Sequence, residues 1–184
     1  MKKYTIGLFP GAMKPFHQGH WQLLQRALNE CDMVFVYTSF KRREGFGGVK
    51  WGAIWEDFII PAMPNGNKVR FNMCVVPVGE VYKHLEYANE NRQGNVYRIY
   101  GGTEDKSRYK DLDTKYRNII AVNVAAEQEL GYQRGIGTAD VSGTAMRIAL
   151  LNDDFETFKQ GCPEFLDAQE YFDILKANHF ISQK

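Results

Sequence analysis

His17 and His20 stand three residues apart, with Gly19 between them, in the stretch Gly11-Ala12-Met13-Lys14-Pro15-Phe16-His17-Gln18-Gly19-His20. Two imidazoles at that spacing in a first helical turn lie on one face. Each can donate a hydrogen bond or carry charge near neutral pH, which suits the pair to a phosphate centre gaining negative charge. Gly19 removes a side chain where a ligand could approach the backbone. The helix start itself offers unpaired N–H groups and the positive end of a dipole.

A second constellation lies far along the chain, in Val141-Ser142-Gly143-Thr144-Ala145-Met146-Arg147. Ser142 is placed to cap a helix over 145–151, so that Gly143 and Thr144 present amides. Thr144 and Arg147 share a face, giving a hydroxyl and a guanidinium fork aimed at one point. Between the two lies a basic, glycine-containing loop, Lys41-Arg42-Arg43-Glu44-Gly45-Phe46-Gly47-Gly48. Any of Lys41, Arg42 or Arg43 could meet a migrating pyrophosphate. Gly101-Gly102 followed by Asp105 and Arg108 forms a further charged turn.

The elements that must hold these residues alternate strand with helix. Apolar runs at 4–9, 33–37, 70–76, 96–100 and 118–124 predict five strands. Helical spacing predicts helices over 18–30, 50–63 and 80–90. Alternation of this kind implies an α/β fold: a doubly wound, Rossmann-like, five-stranded parallel sheet with helices on both faces. In such sheets ligands bind at the carboxyl ends of the strands, where all the candidate loops fall. Trp51, Ile54, Trp55, Phe58 and Ile59 form an apolar stripe, with one Trp edge a candidate for stacking on a planar substrate ring. The glycine-rich segment 131–138 reads as a sheltered loop. His84 and His179 read as surface residues. From residue 152 onward, a helix over 163–177 with Pro163 at its first position and an inward stripe of Phe165, Leu166, Ala168, Tyr171, Phe172 and Leu175 reads as a helical closure of the domain and a candidate oligomer contact.

The chain has 184 residues, enough for a single domain, read here as a core over 1–151 and C-terminal helices over 152–184. Hydrophobic residues make up 44%, which excludes a disordered chain. A net charge of +1 gives no reason to expect a nucleic-acid or anionic membrane partner, so any anion site must be local. Cys31, Cys74 and Cys162 are scattered and odd in number, which fits a reducing cytoplasm rather than a disulfide framework or a zinc site. No run approaches the ~20 apolar residues of a membrane helix, and the first residues lack a signal-peptide core.

His-x-Gly-His preceded by Gly-x-x-x-Pro-Phe resembles the signature of the nucleotidylyltransferase superfamily, the cytidylyltransferase-like branch of the HIGH-motif enzymes. The Pro-Phe-His-x-Gly-His form is most similar to that of nicotinamide-mononucleotide adenylyltransferases. Residues 141–147 resemble the family's second signature, Ile-Ser-x-Thr-x-x-Arg, with Val141 and Gly143 replacing the commoner residues.

The resemblance implies transfer of a nucleotidyl group from a nucleoside triphosphate to a small phosphate-bearing acceptor, with release of pyrophosphate. It places His17 on the α-phosphate, His20 on the bridging and leaving oxygens, and Ser142, Thr144 and Arg147 on the β and γ phosphates. Gly11, Ala12, Met13, Lys14, Gly19, Gly101, Gly102, Asp105, Arg108 and Val141 join the nucleotide-binding set, and Lys41 the catalytic one. It implies Mg²⁺ carried mainly by the triphosphate, ATP as the leading nucleotide and nicotinamide mononucleotide as the leading acceptor, with Trp51 or Trp55 stacking on it. CTP with a polyol or sugar phosphate, and a silent nucleotide sensor, remain as alternatives. An aminoacyl-tRNA-synthetase-like protein is disfavoured, for want of a Lys-Met-Ser-Lys-Ser loop and a tRNA-reading domain.

Overall fold

The computed structural model describes residues 3–102, 105–127, 133–134, 137–138 and 141–182. Five strands, β1 (Thr5–Pro10), β2 (Met33–Ser39), β3 (Val69–Cys74), β4 (Val96–Ile99) and β5 (Ile120–Asn123), form one sheet in the order β3-β2-β1-β4-β5. Every neighbouring pair is parallel. The order reverses beside β1, so the crevice at its carboxyl end is the switch point where such sheets bind ligands.

Alternation along the strands sends side chains into two cores. Ile6 and Leu8 of β1 join Tyr97 and Ile99 of β4 beneath helix α3 (Pro77–Glu90), which contributes Val81, Leu85 and Ala88. Phe9, Val34 and Val36 point the other way, against helix α1 (Gln18–Glu30) and helix α2 (49–62). Both faces are thus covered, as the strand–helix alternation predicts.

Helix α2 runs as α over Val49–Ile54, as π over Trp55–Ile59 and as α again over Ile60–Ala62. A π turn takes more residues than an α turn, which brings positions four apart into line. Trp51, Trp55 and Ile59 are accordingly all fully buried. This corrects the expectation that one of the two tryptophans shows an edge in the cleft: Trp55 is packed against Phe16 and Phe71, and Trp51 against Trp55. Neither can stack on a substrate ring in this arrangement.

Helix α3 begins three residues earlier than its polar pattern suggests, because Pro77 occupies its first turn, where a missing N–H costs nothing. On it, His84 is not the surface residue its sequence context suggests. Its Nδ1 lies 2.8 Å from the Tyr37 hydroxyl, and its ring meets Phe35 and Tyr97 edge-on. Burial there lowers its pKa.

Two short helices, α4 (Leu112–Lys115) and α5 (Val124–Glu127), flank β5. Of the segment 131–138, only the two-residue strands Gln133–Arg134 and Gly137–Thr138 are among the described residues, so its sheltering lies outside them. Helix α6 (Gly143–Leu151) is followed by α7 (Phe155–Gly161) and α8 (Ala168–Ser182). Pro163 does not open α8; the helix starts five residues later, after Asp167, whose carboxylate accepts from the Glu170 amide at 2.8 Å. An Asp side chain that accepts from an amide of the first turn satisfies one of the donors a helix start leaves unpaired. The predicted stripe still packs inward, with Leu166, Tyr171, Phe172 and Leu175 buried in the same core as Trp21 and Trp55.

The three cysteines are free and buried. The side chain of His179 lies outside the described residues. No helix among the described residues is long and apolar enough to cross a membrane.

Candidate active site

The turn from β1 into α1 is built on the two histidines themselves. His17 is the N-cap of α1, and its Nδ1 accepts from the amides of Gly19 at 3.1 Å and His20 at 3.3 Å. In return the Nδ1 of His20 accepts from the His17 amide at 3.3 Å. This is a capping box made from imidazoles in place of the usual Ser and Glu. The rings stack with centroids 3.6 Å apart and planes 17° from parallel. An Nδ1 that accepts must lack a proton, so each neutral ring carries its proton on Nε2. The cap therefore fixes the tautomer of both stacked rings.

Preceding residues are zipped to the end of β2. The Gly11 amide donates to the Tyr37 carbonyl at 2.9 Å, and the Thr38 hydroxyl to the Ala12 carbonyl at 2.8 Å. Met13 is buried with φ of 48°, a left-handed conformation. Lys14 is 2% exposed, and its ammonium donates to the carbonyl of Ser39 at 2.6 Å and to its hydroxyl at 3.1 Å. Burial, then the nearby Arg43, lowers its pKa from 10.5 to about 8. In this structure the Lys14 ammonium serves the β2 terminus rather than an open cleft.

The second motif meets the first directly. Ser142 caps α6, its hydroxyl accepting from the Ala145 amide at 3.0 Å. The helix opens at Gly143, two residues ahead of the expected start, because the cap already fixes that turn. Arg147, 6% exposed, reaches back across the site. Its guanidinium donates to the Lys14 carbonyl at 2.6 Å, to the Thr144 hydroxyl at 3.2 Å and to the Glu44 carboxylate at 3.0 Å. A Cβ on Gly143 would stand 3.1 Å from Arg147 Nη1 and 3.4 Å from the Lys14 carbonyl oxygen, so glycine allows the helix tip to approach the first loop. Two segments more than 120 residues apart are thereby brought into direct contact.

The basic loop spans the gap between them. Lys41, Arg42 and Arg43 are exposed. Arg43 and Phe46 exchange two backbone hydrogen bonds, of 2.8 and 3.0 Å, closing a two-residue turn on Glu44 and Gly45. On the far side of β1, the loop after β4 turns back on itself. Asp105 pairs with Arg108 at 2.9 Å, and a Cβ on Gly101 would meet the Asp105 carboxylate at 2.6 Å. Asn123, at the end of β5, donates to the carbonyls of Asp105 and Arg108 at 3.3 and 2.7 Å, holding that loop beside the switch point.

Several positioning contacts carry no signal in the sequence. Tyr171 of α8 is fully buried and donates to the Phe16 carbonyl at 2.9 Å. The Glu164 amide donates to the Gln18 side chain at 2.9 Å, and the Trp21 indole to the Glu164 carboxylate at 3.3 Å. The closing helices thus brace the histidine turn. Ser39 and Thr38 could be suspected only from their place at a strand's carboxyl end; Glu44, a lone acid among three cations, reads as a solvated turn.

The sheet order, all parallel and reversing beside β1, defines a doubly wound, Rossmann-like α/β fold. Among solved structures it is the fold of the nicotinate- and NMN-adenylyltransferases. A candidate nicotinate-nucleotide adenylyltransferase from Vibrio parahaemolyticus superposes with a TM-score of 0.58 at 15% identity, over 93% of this chain and 99% of that one. Plasmodium falciparum nicotinic acid mononucleotide adenylyltransferase, complexed with NaAD, gives 0.54 at 14% identity, over 95% and 98%. A bifunctional NMN adenylyltransferase/ADP-ribose pyrophosphatase from Francisella tularensis gives 0.57 at 16% identity, over 98% of this chain but 54% of that one, so this chain spans about half its length. No protein-family model and no curated protein sequence matches the chain.

Proposed function

We propose that the chain is an adenylyltransferase: an oxygen of a phosphate monoester attacks the α-phosphorus of ATP, the bond from that phosphorus to the β-phosphate bridge breaks, and pyrophosphate leaves. The observation that supports the reading most is the contact of Arg147 with the Lys14 carbonyl, which joins the tip of α6 to the loop leading into the paired imidazoles. No covalent enzyme intermediate is needed, so positioning and charge stabilisation supply the acceleration.

In this reading the Nε2–H groups of His17 and His20 donate to the α-phosphate and to the oxygen bridging it to the leaving group. The amides of Gly143 and Thr144, the Thr144 hydroxyl and Arg147 receive the β and γ phosphates. Lys41, Arg42 and Arg43 lie on the loop that closes over the pyrophosphate, and Gly101, Gly102, Asp105 and Arg108 border the nucleoside. ATP enters as its magnesium complex, the ion held by phosphate oxygens and water. Among the described residues no group of three or more His, Cys, Asp or Glu side chains is arranged to hold a metal ion.

Nicotinamide mononucleotide or its acid form is the leading acceptor, supported by the Pro-Phe-His-x-Gly-His likeness and by what the structures sharing the fold are named for. The buried free thiols fit a cytoplasmic enzyme. The test is a pyrophosphate-release panel crossing ATP, CTP, GTP and UTP with the two mononucleotides, phosphopantetheine and glycerol 3-phosphate. Turnover with ATP and a nicotinamide or nicotinate mononucleotide is expected. Turnover only with CTP and a polyol phosphate would replace the substrates, and triphosphate binding without turnover on any acceptor would make the protein a sensor.

A further inference from the structure

The guanidinium of Arg147 is already engaged by an anion from this chain. Glu44 sits at the tip of the two-residue turn, 3.0 Å from Arg147 Nε, with its own side chain 48% exposed while that of Arg147 is 7% exposed. Its backbone has φ of 51° and that of Gly45 88°, the left-handed pair of a type I′ turn. Asn, Asp or Gly is the usual residue at the first of those positions, and a longer side chain costs strain there. The turn is anchored by Phe46, which is 1% exposed. Glu44 is also the only acid between Asp32 and Glu56. A carboxylate in a position that disfavours its backbone, set against a buried cation, has the charge and reach of a phosphoryl group's oxygens.

We propose that Glu44 determines the polyphosphate affinity of this site, as an internal anion that any ligand reaching Arg147 must displace. The inference rests on the proposed reading of the pocket as a polyphosphate site. A triphosphate arriving at α6 exchanges its terminal oxygens for the Glu44 carboxylate, and the turn swings clear with Lys41, Arg42 and Arg43 beside the incoming charge. When pyrophosphate forms, the carboxylate competes for Arg147 again and hastens its departure. A ligand too short to reach Arg147 exchanges nothing.

The test is calorimetric titration of ATP, inorganic pyrophosphate and AMP into the wild-type chain, Glu44→Gln and Glu44→Asn. Asn suits the left-handed turn and keeps the loop shape while removing the charge. Both variants are expected to bind ATP and pyrophosphate about tenfold more tightly, as loss of a competing charge pair worth ~1.4 kcal/mol would give, and to bind AMP within twofold of the wild type. In an Arg147→Met background the gain should vanish. Unchanged or weaker ATP and pyrophosphate binding by both variants, with the wild type binding ATP, would overturn the role of Glu44 alone. An equal gain for AMP would mark a diffuse charge effect and overturn it too. A wild type that binds neither ATP nor pyrophosphate would overturn the reading of the pocket, and this inference with it.

Discussion

His17 holds two jobs that substitution can separate. As N-cap it accepts from the amides of Gly19 and His20, and in the proposed reaction the Nε2–H of its ring, stacked 3.6 Å from that of His20, donates to the phosphate. His17→Ala removes both. Losing a cap costs about 0.5–2 kcal/mol, and about 1 kcal/mol in a domain of this size moves Tm by roughly 2–4 °C. His17→Asn puts a side-chain oxygen back within reach of the same amides, so it should recover about 1 kcal/mol relative to Ala. It supplies no donor where Nε2 stood, and loss of one charge-stabilising donor costs about 10²–10³ in kcat. The expected pattern is a stable Asn variant, a less stable Ala variant, and both nearly inactive. Thermal unfolding and pyrophosphate release on the same preparations read the two effects. Equal stability of Ala and Asn would refute the capping role, and near-normal turnover of His17→Asn would refute the role at phosphorus.

Arg147→Met leaves the Lys14 carbonyl without its donor and is expected to lower stability by about 1–3 kcal/mol and to raise the KM for the triphosphate more than tenfold; Arg147→Lys should not restore either, because one ammonium cannot span three acceptors. Urea melts and initial rates check both. Lys14 has a folded-state pKa of about 8 against an ordinary 10.5, so the unfolded chain binds more protons between those values and stability rises as pH climbs through them. The full effect is about 3 kcal/mol. Tyr37, pushed up to about 12, and Cys74, to about 11, act in the opposite sense, so the readout is wild type minus Lys14→Met: that difference should shift toward the wild type from pH 8 to 10.5. Tyr171→Phe orphans the Phe16 carbonyl and should cost about 1–3 kcal/mol, measurable by denaturation.

The layout of this molecule is written in hydrophobic spacing, and the spacing is legible. Helix α1 occupies the residues its stripe of Trp21, Leu24 and Leu28 assigns, and the five apolar runs became five parallel strands. Departures have local causes. The π-wound stretch of α2 buries both tryptophans, and no periodicity argument separates a π turn from an α turn when the stripe is apolar in either register. Pro77 and Pro163 look alike as helix starters, yet only the first became one, since Asp167 offers a better cap downstream.

At the site, residue types single out His17, His20, Thr144 and Arg147 but do not say what these side chains hold in the folded chain. His17 and His20 read as chemistry and turn out also to build the turn. Lys14 reads as a phosphate ligand, but its ammonium is buried on Ser39, 25 residues away in the chain. Such long-range polar partners depend on where a strand ends relative to a loop, and a single sequence carries no mark of that. The bond of the Tyr171 hydroxyl and those of Glu164 are invisible for the same reason, although the burial of the Tyr171 ring is legible in its stripe.

The most direct test of the central claim is a crystal structure with a non-hydrolysable ATP analogue. The expected complex has one polyphosphate lying between the two helix tips, its α-phosphorus beside the Nε2 atoms of His17 and His20 and its terminal oxygens on Arg147 in place of Glu44. A triphosphate bound elsewhere, or one that leaves Arg147 on Glu44 and both imidazoles out of reach of phosphorus, would contradict it.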